Sequence, residues 1–145
     1  MDLIKKRQEE IIEEFEILDG DMEMALNYIM ELGQELIGFP EEERKEENIV
    51  KGCQSKVWML ATMDQGKVNF KADSNTAITK GLVSLLVRVL SQSSPEDIIN
   101  SEIYFPSRIG MDRFIGTQRS NGFAAMIKQM KLYAVAFSAK EQANE

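Results

Sequence analysis

The chain of 145 residues contains no histidine and a single cysteine, Cys53. The absence of histidine excludes acid–base catalysis by an imidazole. One cysteine cannot form an intramolecular disulfide, so a disulfide scaffold is excluded too. Zinc and iron–sulfur sites usually take several Cys or His ligands, which disfavours a metal site built by this chain alone. We therefore expect neither a resident metal nor a disulfide.

Basic residues are outnumbered, and long apolar runs are missing. Lys and Arg total 17 against 24 Asp and Glu, a formal net charge of -7, which repels nucleic-acid phosphates. No apolar run is long enough to span a bilayer. The start, Met1-Asp2-Leu3, leads into an acidic helical pattern that is unlike a secretory signal. We expect a cytoplasmic protein that binds neither nucleic acid nor membranes.

Length and composition are those of one folded domain. The chain is 43% hydrophobic and 28% charged, as in ordinary globular proteins. A domain of this length buries about two thirds of its unfolded surface, so its core needs no disulfides. We expect a single domain over residues 1–145, with a frayed tail from Lys140 onward.

Apolar residues recur at helical spacing in four segments. These are residues 2–18, 22–36, 77–90 and 120–137. The third is the most apolar, which predicts a place at the centre of the core. Asp73 is the favoured N-cap of that helix, and Ser120 is the expected N-cap of the last one. A short helical turn should begin at Pro95, and residues 103–116 should be irregular.

A strand-like alternation separates the second and third helices. Residues 57–63 and 68–72 alternate around the turn signal Asp64-Gln65-Gly66, which predicts a β-hairpin. Both faces of the first strand are apolar, which predicts cover on both sides and a core position for Trp58. The acidic run from Pro40 to Asn48 predicts a solvated connection. This order of elements predicts an α+β fold, with helices packed against a small antiparallel sheet.

Cys53 is the clearest nucleophile candidate. A free cysteine is more often a small buried hydrophobe, so the thiol taken alone favours a structural role. Its neighbours favour reactivity, since Gly52 allows a sharp turn or the close approach of a partner, and Lys51 and Lys56 would stabilise the thiolate. Gln54 and Ser55 are expected to order the loop through hydrogen bonds to the backbone.

The run KGCQSKVW, from Lys51 to Trp58, closely resembles the GCQSxVW signature of the SufE family of sulfur acceptors. Three further segments agree with that family in order and spacing, so the similarity spans nearly the whole chain. They are Glu31-Leu32-Gly33, the stretch from Asp73 to Leu82, and the stretch from Thr117 to Ile127. One departure precedes the last helix, where the family often has Pro-Ser-Arg and this chain has Thr117-Gln118-Arg119.

The resemblance implies a role in sulfur transfer. SufE-like proteins bind a cysteine desulfurase of the SufS type, a pyridoxal-phosphate enzyme that holds sulfur as a persulfide. By position, Cys53 would take the terminal sulfur, stimulate desulfurase turnover and deliver the sulfur to an iron–sulfur scaffold complex. The pyridoxal phosphate belongs to the partner, so this chain would be a carrier and activator without a cofactor of its own.

The resemblance also implies a fold and further site residues. Scaffold proteins of the IscU type share the fold but carry three cysteine ligands, and the single cysteine here fits a carrier. Arg119 matches a family arginine that could pair with the desulfurase or lie near Cys53, or it could simply pack at a helix start. Asp73 matches an acidic family position. Whether the protein is a monomer or a homodimer is left open.

Two other functions are compatible with a lone cysteine. A thiol redox enzyme, such as a one-cysteine peroxidase, would form sulfenic acid at Cys53 with peroxide. A pure interaction module would keep Cys53 as a structural residue, and its activity would survive Cys53→Ser.

Overall fold

The computed structural model describes residues 2–144; Met1 and Glu145 lie outside the described residues. Within that range, seven α-helices and one two-stranded antiparallel sheet form the α+β fold predicted from the sequence. The elements are α1 (Leu3–Glu16), α2 (Met22–Gly33), β1 (Val57–Asp64), β2 (Lys67–Ser74), α3 (Ala77–Leu90), α4 (Pro95–Ile99), α5 (Phe105–Arg108), α6 (Met111–Ile115) and α7 (Thr117–Ala143). Two short 3-10 turns, Glu41–Glu43 and Glu46–Asn48, occupy the acidic connection between α2 and β1.

The predicted central position of α3 is confirmed. Eight of its residues are buried, among them Leu82, Leu85 and Leu86. The backbones of α2 and α3 are in close contact where the two helices cross, because Gly33 and Gly81 lie at the crossing and have no side chains. A Cβ atom on Gly81 would lie 2.0 Å from the backbone oxygen of Ile29. This close crossing depends on the missing side chains and brings together two of the segments that carried the family resemblance.

The predicted β-hairpin is confirmed, with Val57 opposite Ser74 and Asp64 opposite Lys67. Gln65 and Gly66 both have positive φ, +52° and +79°, as a two-residue type I′ turn requires. The prediction that β1 is covered on both faces is wrong. Val57 and Met59 are fully buried, whereas the residues on the other face, such as Trp58, are only half-buried.

The entry to α7 differs from the sequence prediction. The helix begins at Thr117, with Gly116 in the N-cap position, and the Ser120 amide already donates to the Gly116 carbonyl. Ser120 is therefore inside the helix, and its prediction as the cap is wrong. The segment expected to be irregular holds the short helices α5 and α6. Helix α7 runs to Ala143, so the residues from Lys140, expected as a frayed tail, are helical.

Among residues 2–144, no helix combines the length and the hydropathy needed to cross a membrane.

Candidate functional site

Cys53 lies in the loop from Lys51 to Lys56, which is closed at its base by backbone contacts. The Val50 amide donates to the Val57 carbonyl at 2.8 Å. The far end is tied to the residues after β2, since the Lys56 amide donates to the Asn75 side chain at 3.0 Å and Ser74 Oγ donates to the Lys56 carbonyl at 2.8 Å. Hydrogen bonds therefore fix both ends of this short loop.

Gly52 turns the loop back onto α7. Its φ of +99° lies in the region that L side chains rarely adopt, and a Cβ atom there would lie 3.1 Å from the Cβ of Ala125. The sharp turn predicted for this glycine is confirmed, and the surface that it approaches closely is α7 of the protein itself. Close approach of a partner at Gly52 stays a prediction.

The Cys53 thiol is half-buried against α7. Its Sγ lies 3.4 Å from the backbone oxygen of Gly122, to which the thiol donates. A Cβ atom on Gly122 would lie 3.4 Å from Sγ, an ordinary van der Waals distance, so the thiol packs directly on this face of α7. Burial raises the pKa of the Cys53 thiol, so the protonated form is favoured in this conformation. Stabilisation of a thiolate by Lys51 and Lys56, both of which are exposed, stays a prediction.

A cavity of about 290 Å³ opens beside Cys53. Its wall combines the cysteine loop, the first turn of α3 and the start of α7. Of the candidate residues named from the sequence, Cys53, Gln54, Ser55 and Arg119 line it. Lys51 is exposed outside the cavity lining, and Asp73 lies beyond it in a separate cluster. This volume exceeds what one added sulfur atom needs.

Arg119 stands at the edge of this cavity. Its side chain is exposed, and Nη1 donates to the carbonyl of Ile115 at 3.2 Å. That bond satisfies one of the last carbonyls of α6, and the same residue lines the cavity. Both interpretations of Arg119, a helix-end contact and a cation near Cys53, are thus compatible with its position.

Ser55 is fixed through side chains rather than the backbone bonds expected for it. Its hydroxyl lies 2.8 Å from Thr76 Oγ1 and 3.3 Å from Thr79 Oγ1. Thr76 and Thr79 were not singled out from the sequence, because no spacing along the chain shows that α3 begins next to the cysteine loop. Gln54 is exposed at the same cavity.

Asp73 is an ion-pair centre, and its prediction as an N-cap is wrong. Thr76 occupies the N-cap position of α3, while the Asp73 carboxylate binds Arg44 Nη2 at 2.6 Å and Lys80 Nζ at 3.3 Å. Burial acts to raise the pKa of Asp73, but Arg44, the Ser74 amide and Lys80 outweigh it and lower the pKa. The carboxylate therefore joins the acidic connection, β2 and α3.

Arg44 also explains the position of Trp58. Its guanidinium lies 5.1 Å from the centre of the Trp58 ring and 5.3 Å from that of Phe39, which are cation–π distances. The core position predicted for Trp58 is wrong, since Trp58 lies on the half-buried face of β1 beneath this arginine. The acidic run was expected to be a solvated connection; the tertiary contacts that Arg44 makes from within it were not predicted from the sequence.

The residues described here, 2–144, contain no group of three or more Cys, Asp or Glu side chains arranged to hold a metal ion.

The fold and the cavity together define a small α+β protein that presents a single thiol in a recess between two helices. The family model described as "SufE: Fe-S metabolism associated domain" matches residues 9–134, so the chain belongs to the SufE family. This confirms the resemblance found in the sequence and associates the protein with iron–sulfur metabolism.

A solved structure supports the fold independently. The chain resembles the solution structure of a hypothetical protein from Thermus thermophilus, with a TM-score of 0.74 and 20% identity. The match covers 90% of this chain and 94% of the other. At that identity the likeness shows the fold alone.

Proposed function

We propose that Cys53 accepts sulfur from the persulfide of a SufS-type cysteine desulfurase and passes it to an iron–sulfur scaffold complex. The observation that carries the proposal is the placement of the chain's one cysteine on a loop beside a cavity with room for an incoming sulfur, in a chain of the SufE family. In this role the protein is a carrier and an activator of the desulfurase.

The transfer is a thiol exchange without net oxidation. The Cys53 thiolate attacks the outer sulfur of the donor persulfide, R–S–SH. A new sulfur–sulfur bond forms on Cys53 as the donor's bond breaks, giving Cys53–S–SH and the donor thiolate R–S⁻. A carrier that removes this sulfur quickly raises desulfurase turnover if sulfur release limits it.

The resting position of Cys53 suits protection better than attack. Burial favours the thiol, and its hydrogen bond to Gly122 covers one side of the sulfur. Movement of the loop toward solvent would return the pKa of the thiol toward its ordinary value and supply thiolate. We therefore expect the desulfurase to bind a displaced loop, and thereby to select the reactive state.

Exposed site residues suggest where that partner binds. Lys51 and Gln54 are exposed on the cysteine loop, and Arg119 is exposed across the cavity mouth. A partner that reached Cys53 would contact all three. Gly52 and Asp73 would act indirectly, Gly52 by shaping the loop and Asp73 by holding its surroundings together.

Intact mass measures the transfer directly. The protein is mixed with a SufS-type desulfurase, pyridoxal phosphate and free cysteine, and is then weighed under non-reducing conditions. We expect the mass of one added sulfur atom in the native protein and none in Cys53→Ser, together with faster desulfurase turnover for the native protein only.

Two outcomes would contradict the proposal. No added mass under turnover would exclude sulfur acceptance, and full stimulation by Cys53→Ser would make the protein an interaction module with a structural cysteine. A one-cysteine peroxidase would instead gain oxygen rapidly from dilute peroxide, without a desulfurase.

The reaction rate of Cys53 with an alkylating reagent measures how far the thiol is protected from solvent. We expect Cys53 to react with iodoacetamide more slowly than a free small thiol, and faster once the desulfurase is added. A rate equal to that of a free thiol under both conditions would disprove the shelter.

A further inference from the structure

Three hydroxyl groups meet in the wall of the Cys53 cavity. Ser55 comes from the cysteine loop, Thr76 is the N-cap of α3, and Thr79 lies in the first turn of that helix. Ser55 Oγ is the centre of the group, 2.8 Å from one threonine oxygen and 3.3 Å from the other. Thr79 is buried, with 6% of its surface exposed, so its hydroxyl is held in a low-dielectric position. We call these residues the hydroxyl cluster.

The cluster has more protons than its internal bonds use. Three hydroxyls carry three protons, and the two hydrogen bonds among them use two, whichever way each bond is directed. If both threonines donate to Ser55, the remaining proton is that of Ser55 itself. One O–H donor is thus left over in a group that shares its cavity with Cys53.

The N-terminal end of α3 lies in the same wall. Thr76 stands at the N-cap but, within the described residues, its side chain makes no capping hydrogen bond; the hydroxyl turns to Ser55 instead. Thr76, Ala77 and Ile78 line the cavity. The N-terminal end of a helix carries partial positive charge and favours anions close to it.

We propose that the hydroxyl cluster and the first turn of α3 bind the outer sulfur of a Cys53 persulfide as its anion, Cys53–S–S⁻. This inference rests on the proposed function, since it concerns the species that sulfur transfer would create. The persulfide loses its S–H proton to solvent, no electrons are exchanged, and the sulfur–sulfur bond stays intact. The resting thiol lies against an acceptor, the Gly122 carbonyl. The cavity that an added sulfur would enter is lined by the three hydroxyl residues.

The charged groups near the cavity are few, and substitution of the three hydroxyl residues leaves all of them in place. Arg119 is the charged side chain in its lining, and Lys51 and Lys56 are exposed on the cysteine loop. Lys80, in the first turns of α3, is paired with Asp73. Because the three hydroxyls are neutral, removing them changes none of these charges, so any change in persulfide acidity reports the hydrogen bonds.

The test loads Cys53 chemically, without a desulfurase. Reaction with 5,5′-dithiobis(2-nitrobenzoate) gives a mixed disulfide, and sulfide then displaces thionitrobenzoate: Cys53–S–SAr + HS⁻ → Cys53–S–SH + ArS⁻. Intact mass verifies the product, which is unambiguous because the chain has one cysteine. The rate of capture by iodoacetamide, measured across pH, gives the pKa of the bound persulfide.

The variants are Ser55→Ala, Thr76→Val, and the double variant Ser55→Ala with Thr79→Val. We expect the double variant to raise the persulfide pKa by about one, a tenfold loss of anion stabilisation, which is at the low end for hydrogen bonds to a charged group. Thr62→Val, on the exposed part of β1, is the matched control and should leave the value unchanged. The pH profile of the unloaded thiol should stay the same in every variant.

Identical persulfide pKa values in all variants would overturn the inference. So would a variant that shifts the pKa of the unloaded thiol and the pKa of the persulfide by the same amount. If Thr79→Val does not fold, Ser55→Ala and the exposed Thr76→Val decide the question. Because the persulfide is made chemically, a negative result in this experiment would not bear on whether Cys53 accepts sulfur from the desulfurase. Conversely, if the desulfurase did not transfer sulfur to Cys53, the persulfide pKa could still be measured.

Discussion

At the scale of single residues, Asp73 connects the acidic segment to the rest of the site. It is 9% exposed, yet it is charged, because Arg44, Lys80 and the Ser74 amide all bind its carboxylate. A buried carboxylate with such partners stabilises the fold only while it is ionised. The pH dependence of stability should therefore report on this cluster.

Replacing Asp73 with Asn should make the protein less stable at neutral pH and less sensitive to acid. The folded-state pKa of Asp73 lies below its unfolded value of about 3.9, so its contribution is present above that pH and is lost as the pH falls through the folded pKa. We expect a loss of about 1.5–3 kcal/mol at pH 7, as for hydrogen bonds to charged groups. Urea unfolding between pH 2 and 7 would measure it.

The matched control is Asp64→Asn, an exposed carboxylate on the same hairpin. The pKa of Glu14 is also lowered, chiefly by its hydrogen bond to Arg88, so the native protein should lose stability in acid from two sites. Only the difference between native protein and Asp73→Asn isolates Asp73. A difference in unfolding free energy that stayed constant from pH 2 to pH 7 would refute the role of the ion pair.

The cysteine loop was predictable at residue scale, and the cluster around Asp73 was not. Gly52 and Cys53 are adjacent in sequence, and a glycine before a lone cysteine suggests a turn. The half-buried position of the thiol against α7 depends on tertiary packing and was not predicted. Arg44 lies far from Asp73 along the chain, in a run whose acidic residues indicate only solvation. A contact of that kind depends on tertiary packing, which the spacing of charges in one segment does not encode.

At the scale of helices, two glycines make opposite predictions. Gly81→Ala places a Cβ 2.0 Å from the Ile29 carbonyl oxygen at the α2–α3 crossing, so the helices must separate. We expect a loss of about 1–3 kcal/mol, as for other overpacked cores. Gly122→Ala places its Cβ at 3.4 Å from Cys53 Sγ, an ordinary contact, and should gain up to about 1 kcal/mol from helix propensity.

Both substitutions are Gly→Ala inside helices, so each is the control for the other. Urea denaturation followed by circular dichroism compares them with the native protein. Equal effects of the two substitutions would show that helix propensity, and not the crossing, sets the result.

The long helices and the hairpin could be predicted from periodicity because each buries one face; in α1 that face includes Ile4, Ile11 and Phe15. The ends of the helices were predicted less well. Ser120 has the chemistry of a cap, but Gly116 precedes it and the helix begins there with a backbone in the left-handed region. Helices α5 and α6 are too short to show a period, since each spans about one turn.

At the scale of the whole molecule, the buried residues of α1, α3, the hairpin and α7 belong to one core. We therefore expect a single cooperative unfolding transition, as for most domains of this size. Trp58 is the only tryptophan and reports on the cluster around Arg44 and Asp73, while far-UV circular dichroism reports on the helices. The two signals should give the same urea midpoint. An earlier midpoint for Trp58 fluorescence would mean that the segment around Arg44 opens on its own.

The contact between Cys53 and Gly122 also bears on which sulfur of a loaded carrier can react. A persulfide has two electrophilic sulfurs: attack on the outer one hands the sulfur on, whereas attack on the inner one expels sulfide and leaves a mixed disulfide. Helix α7 covers the inner sulfur at 3.4 Å, while the cavity lies open beside it. The fold would thus direct an incoming thiolate to the outer sulfur, which is then transferred, and away from the inner sulfur. It would also disfavour the disulfide-linked dimer that forms when the thiolate of a second copy attacks the inner sulfur.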